Sequence, residues 1–150
     1  MTFAPKEAMD HRQYLTFILS GEEYAISILQ VKEIIGYDTV TAVPKTPKWI
    51  RGVINLRGKI VPIGDLAGRL GIHSDVNNED SKIVIVEAGT QCVGMIVDAV
   101  DEVLRIEEEQ LDTSTVTSRD IVRGIAKLDQ RLVVILDADA LGTSNNALAA

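Results

Sequence analysis

Asp65 and Asp137 are the residues whose types and spacing best suit acid–base chemistry. They stand 72 positions apart, each directly after a Val- and Ile-rich run. Two equivalent aspartates sharing one proton form the acid–base pair of aspartic proteases. That chemistry also needs small hydroxyl residues beside the carboxyls. Here Asp65 is followed by Leu66-Ala67 and Asp137 by Ala138-Asp139. Capping of two short helices explains both aspartates with less. An acidic-dyad hydrolase using Asp65 and Asp137 is thus a remote alternative, and the chain reads as no enzyme. Cys92 is the only cysteine; it sits in a strand pattern without a nearby histidine and is expected to be a buried thiol. His11 and His73 have no ligand-like neighbours, so the sequence implies no metal site and no cofactor. Nucleophile-elbow, zinc-protease, phosphate-loop and dinucleotide motifs do not occur.

Recognition by charge is better supported. Arg57-Gly58 stands between two strand-like runs. Gly58 allows a turn with positive φ and close approach of another backbone. Arg57 would project a guanidinium from a rigid tip, suited to gripping a carboxylate or anchoring an interface. The plain alternative is an ordinary turn with a solvated arginine. Lys45, Lys48, Arg51, Arg57 and Lys59 follow one another with no acid between Asp38 and Asp65, whereas Glu107, Glu108, Glu109 and Asp112 form an acidic stretch. Such polarity steers a charged partner, unless both are simply solvated surfaces. Val31 and Glu33 either rim a groove for a partner or divide between core and surface. Trp49, after the Pro44–Pro47 bend, reads as a packing anchor.

Short runs rich in Val, Ile and Tyr alternate with turn signals, which predicts an all-β fold with few short helices. Hairpins are expected over 14–28, 50–63, 83–97 and 121–136, and helices over 65–70 and 137–141. The chain also repeats itself. At a shift of 72, Ile50-Arg-Gly-Val53 lies over Val122-Arg-Gly-Ile125, and Lys59-Ile-Val61 over Arg131-Leu-Val133. At a shift of 69, Val31-Lys-Glu33 lies over Val100-Asp-Glu102. A duplicated module follows, with pseudo-repeats over about 14–71 and 82–142 and a connector over 72–81. A sheet of about five strands leaves exposed edges unless it closes, so two small five-stranded barrels packed together are expected. Residues 1–13 and 143–150 lack pattern and are expected to be flexible.

With 150 residues and 46% hydrophobic content, the chain can bury a core without disulfide or metal staples. A net charge of -7 argues against nucleic acid as a partner. The first 13 residues do not read as a signal peptide, and no apolar run approaches a membrane span, so membrane insertion is not expected. A cytoplasmic, soluble protein is the expectation.

These residues together resemble the CheW family of chemotaxis coupling proteins. The resemblance runs from Tyr24-Ala-Ile-Ser-Ile28 and Val31-Lys-Glu-Ile34 through Ile50-Arg-Gly-Val-Ile-Asn-Leu-Arg-Gly58 and Pro62-Ile-Gly-Asp-Leu66. It resumes at Val93-Gly-Met-Ile-Val-Asp-Ala-Val100, with Val103, Val122-Arg-Gly-Ile125 and Leu132–Leu136. It covers nearly all of 14–142, which the resemblance makes one CheW-like domain. It implies two SH3-like barrels and an adaptor; a monomer in isolation is expected. That adaptor links chemoreceptor cytoplasmic tips to the regulatory domain of the chemotaxis histidine kinase. Pairing is implied to be barrel to barrel, closing into rings within membrane-associated arrays, with the receptor near the groove between barrels. An adaptor of another chemosensory-type pathway, serving surface motility, pili or second-messenger control, is the alternative. Carried over by position, Val31, Glu33 and Arg57 match partner-contact positions. Gly52 and Gly58 match signature glycines that either pack or touch a partner. Val100 and Val103 match positions near the receptor groove.

Overall fold

A computed structural model describes residues 11–37, 40–72, 81–114 and 121–143, leaving out the side chains of 142 and 143. The first half forms β1 (Gln13–Leu19), β2 (Glu22–Ser27), β3 (Val31–Gly36), β4 (Ile50–Leu56), β5 (Lys59–Asp65) and α1 (Leu66–Leu70). The second forms β6 (Lys82–Ala88), β7 (Gln91–Val97), β8 (Ala99–Arg105), β9 (Leu111–Asp112), β10 (Val122–Leu128), β11 (Arg131–Leu136) and α2 (Asp139–Thr143). The hairpins form where β-branched runs flank turn residues. At Arg57-Gly58 both residues have positive φ, +52° and +85°, the two-residue turn whose twist matches its strands. The all-β expectation holds.

The strands do not sort by repeat. One sheet runs β8-β1-β2-β11-β10-β9, the other β3-β6-β7-β5-β4. Each sheet therefore takes its first hairpin from one half of the chain and its remaining long strands from the other. The inserted hairpins meet their hosts in the same way twice. β2 runs parallel to β11, with Ala25 beside Ile135. β7 runs parallel to β5, with Gly94 beside Ile63. The first sheet gains a sixth, two-residue strand, β9, against β10, where five were expected. Its counterpart on β4 is the single bridge of Thr41 to Val53.

Each sheet keeps a small core of its own: Val61, Ile63, Ile83, Ile85 and Ile96 in one, Ala25, Ile106, Ala126, Val133 and Ile135 in the other. A larger core lies between the sheets, joining Leu15, Phe17, Leu19 and Ile26 to Val84, Val86, Val93, Met95 and Val97. Leu66 and Ala67 of α1 and Ala138 and Leu141 of α2 complete it.

Helix capping is half as expected. The Asp137 carboxylate accepts from the Asp139 amide at 2.9 Å. Asp65 stands at the N-cap of α1 but makes no side-chain cap bond, and its Oδ1 is buried without a hydrogen bond among the described residues. Trp49 is buried, as a packing anchor should be. Gln13 belongs to β1, Arg12 pairs with Glu107, and Thr143 ends α2. The rest of both termini, and 73–80 of the expected connector, lie outside the described residues. Among those residues, no helix is long and apolar enough to cross a membrane.

Candidate functional site

Glu33, Arg57 and Gly58 come together at one end of the second sheet. The path starts at a bulge in β3, where its register against β6 shifts between Val31 and Glu33. A bulge re-aims the side chains that follow it. Val31 accordingly joins the core between the sheets, only 4% exposed, while Ile35 packs on the second sheet's own core. Glu33 is left 8% exposed at the sheet's end. Its carboxylate accepts from Arg57 Nη2 at 2.5 Å. The ion pair and hydrogen bond to Arg57 hold the Glu33 carboxyl below its usual range, against the opposing effect of burial. Glu33 in turn pushes Arg57 up.

Arg57 is an unusual residue for its place. Left-handed backbone is uncommon outside glycine and asparagine. The turn accepts it because the Gly58 amide donates to Asn55 Oδ1 at 2.8 Å, closing the loop locally. The side chain then lies over β3 with most of its surface in water. It can hold Glu33 and still offer guanidinium N–H groups outward, since the fork carries five donors.

The sign of this pairing fixes a pH response. The Glu33 carboxyl is depressed in the folded state, so its contribution is complete above the unfolded carboxylate value of about 4.3. It is lost as pH falls through the folded value. Carboxyl-detected NMR titration should place Glu33 below that reference. In Arg57→Gln it should lie above it, because burial then dominates. An unchanged Glu33 titration in the variant would mean that the ion pair is not the cause.

The other candidate residues separate. Gly52 is buried, and a Cβ there would overlap the Thr41 carbonyl oxygen, which gives it a packing role. Val100 is half-buried against the core between the sheets. Val103 is 42% exposed on β8, at the edge of the first sheet. The site therefore keeps Glu33, Arg57 and Gly58 on one sheet and Val103 on the other.

Three features escaped the residue reading. Ile60 and Leu132 are 61% and 63% exposed, one on each sheet at equivalent positions. The signal was present: the repeat keeps an apolar residue at a place where strand alternation points outward. Cys92, expected buried, is half-buried and lines a cavity of about 170 Å³ beside Lys32, Glu33, Arg57 and Lys59. Glu107 proves structural, pairing with Arg12 at 3.4 Å and Arg105 at 2.7 Å.

The family profile described as CheW-like domain matches residues 13–145. The chain belongs to the CheW family. The chemotaxis protein CheW of Klebsiella aerogenes is 36% identical over 137 residues, covering 89% of this chain and 82% of that protein. The crystal structure of the scaffolding protein TtCheW from Thermoanaerobacter tengcongensis superposes with a TM-score of 0.78 at 40% identity, covering 85% of this chain and 89% of that one. The protein PilI of Pseudomonas aeruginosa is 29% identical over 110 residues, covering 73% of this chain and 60% of that protein. The family assignment and the two-sheet architecture agree.

Proposed function

We propose that this chain is a non-enzymatic adaptor in the cytoplasm. It couples the signalling tip of a chemoreceptor to the regulatory domain of a chemotaxis histidine kinase in membrane-associated arrays. The observation that carries the reading is the Arg57 tip: a guanidinium locked onto Glu33 at 2.5 Å, yet largely exposed. The same hairpin carries the exposed Ile60. An exposed cation and an exposed apolar side chain on one hairpin have the composition of an interface anchor. The exposed apolar side chain recurs as Leu132 on the other sheet, which supports two related contact faces on one chain and suits barrel-to-barrel pairing with the kinase domain. Val103, with Val100 behind it, is assigned to the receptor side. The chain works as a monomer that joins partners, and weak single contacts gain strength from the array. An adaptor of a pilus-type pathway is the second reading, favoured by the match to PilI.

Titration of the purified chain against the kinase regulatory domain, and separately against a receptor tip fragment, tests this. Arg57→Glu should weaken binding to at least one of them by about tenfold or more, equivalent to about 1.4 kcal/mol. Circular dichroism should show the fold retained. Tight binding unaffected by the reversal would remove Arg57 from the interface. Binding to neither partner would remove the chemotaxis assignment.

A further inference from the structure

The edge strands β3 and β8 carry glutamates at equivalent positions, Glu33 and Glu102, and an arginine holds each of them. The arginines themselves are not equivalent. Arg57 stands in a turn, whereas Arg131 opens β11 in the place that Lys59 takes in β5. The link therefore recurs although the residue that makes it has moved.

In the first sheet the link reaches across two strands, since β1 and β2 lie between β8 and β11. Arg131 Nε donates to Glu23 Oε1 on β2 at 3.0 Å, and its Nη2 donates to the other oxygen of the same carboxylate. This two-pronged pairing fixes the plane of the guanidinium. Its Nη1 then lies 3.2 Å from Glu102 Oε2, and Nη2 lies 3.8 Å from Asp101 Oδ2. Glu23 first, and Glu102 after it, push the Arg131 guanidinium up against the opposing effect of burial.

The grip falls on the interrupted part of β8. The register of β8 against β1 shifts between Leu15 and Phe17, whose partners are Val103 and Val100, so Asp101 and Glu102 lie in a bulge. A bulge breaks the ladder locally, and β8 has no strand on its outer side. A side chain holds the backbone there. The buried Thr16 hydroxyl donates to the Glu102 carbonyl at 2.9 Å and accepts from the Glu102 amide at 3.0 Å. Val100 and Val103 flank the bulge. At the other end of the link, Arg131 directly precedes Leu132, and strand alternation sends the two side chains to opposite faces.

We infer that Arg131 is a positioning residue that couples the two contact faces of the first sheet: it clasps the β8 bulge between Val100 and Val103 to the strand that presents Leu132. The inference rests on the adaptor reading, with Val103 on the receptor side and Leu132 on the kinase side. A receptor that displaces the bulge displaces Glu102, and Arg131 passes that shift to β11 and, through Glu23, to β2. Such coupling is reciprocal between the two partners.

Titration of the chain with the kinase regulatory domain, without and with saturating receptor tip fragment, gives the coupling factor. In the wild type the receptor fragment should change the affinity by about fivefold or more. Arg131→Gln should bind each partner alone within about twofold of the wild type, with a coupling factor of about one. Glu102→Gln, which removes only the β8 side of the clasp, should give the same result, and the double variant should lose nothing further. A residue that served stability alone would lower Tm and leave the factor intact. A second readout needs no partner. Hydrogen exchange at the Glu102 amide should speed by about fivefold in either variant, with the amides of β6 and β7 unchanged. A wild-type factor of about one, or a wild-type factor retained in either variant, would overturn the coupling. Unchanged exchange at Glu102 would overturn the clasp. Failure of the wild type to bind either partner would sink the adaptor reading and the coupling with it, while exchange at Glu102 would still decide whether Arg131 holds β8.

Discussion

Severed between residues 76 and 77, the chain should yield two pieces that are each unfolded alone and fold when mixed. The expectation follows from the exchange of hairpins. The N-terminal piece keeps β1 and β2 but loses their neighbours β8 and β11; it keeps β3 and β5 but loses β6 and β7. What remains is a pair of isolated hairpins and a lone strand, and such hairpins are marginal in water. The repeat suggests an escape in which β1–β2 inserts beside its own β3 and β5. The connections forbid the corresponding move in the other half. Only Asp98 separates β7 from β8. Placed beside β6 in the manner of β3, β8 would start near Glu87, whereas β7 ends opposite Lys82. Those points are about 17 Å apart along the strand, and a one-residue link spans less than about 8 Å. The three residues Ile28–Gln30 between β2 and β3 leave almost no slack either. Amide proton NMR spectra should be collapsed for each piece and dispersed for the equimolar mixture. A dispersed spectrum from one piece alone would show that its hairpin can serve its own half. The intact chain should accordingly unfold in one transition rather than two.

The same exchange marks the limit of what the residues disclosed. Strands were readable because alternation and turn chemistry are local. Partner choice was not, because Val31-Lys-Glu33 and Val100-Asp-Glu102 carry one pattern and either could flank either hairpin. Only connection length breaks that tie, and it becomes informative once the strand ends are known to a residue. The bulge in β3 had the same effect on the site. Without it, Val31 and Glu33 would share a face, which is how a contact role for both is read from spacing. With it, Val31 goes into the core and Glu33 to the sheet's end.

Charge was legible at the level of type and not of pairing. Arg57 stood out as a first-half feature without a counterpart, since Asp129 occupies its place in the second half. Nothing in the spacing told that its partner would be Glu33, 24 residues earlier. Cys92 was misjudged because strand alternation places it inward, on the side of its sheet's own core. It packs against that core but stays half-buried, because it also lines a cavity. Ile60 and Leu132 show the opposite lesson. Each looks like an ordinary strand residue, and only their shared exposure on both sheets makes them informative.

Gly52→Ala should be the most damaging of the conservative substitutions at the signature motif, and its counterpart Gly124→Ala should be mild. Both glycines sit where the hairpin register shifts, at Ile50/Gly52 and Val122/Gly124. Both lie under a crossing segment. Thr41 and Val53 exchange backbone hydrogen bonds of 2.9 Å in each direction, which fixes the Thr41 carbonyl directly over Gly52. That oxygen is backbone and cannot swing aside as a flexible side chain would. Gly52 also has φ of +153°, a conformation that L side chains rarely adopt. At Gly124 a Cβ would meet Asp112 O and Thr113 Cγ2 at 3.2 Å, a contact that a small shift relieves. Overpacking of a fixed site costs about 3 kcal/mol, against about 1 kcal/mol where the neighbour can give. For a domain of this size the first figure corresponds to a fall in Tm of about 10 °C. Thermal unfolding followed by near-ultraviolet circular dichroism compares the two variants directly. The pair also decides between packing and contact for Gly52. With a packing role, the folded fraction of Gly52→Ala binds the kinase domain as the wild type does. A variant with wild-type stability and lost binding would instead place Gly52 against a partner, and the overlap with Thr41 would have to be relieved by a movement of the 40–43 segment.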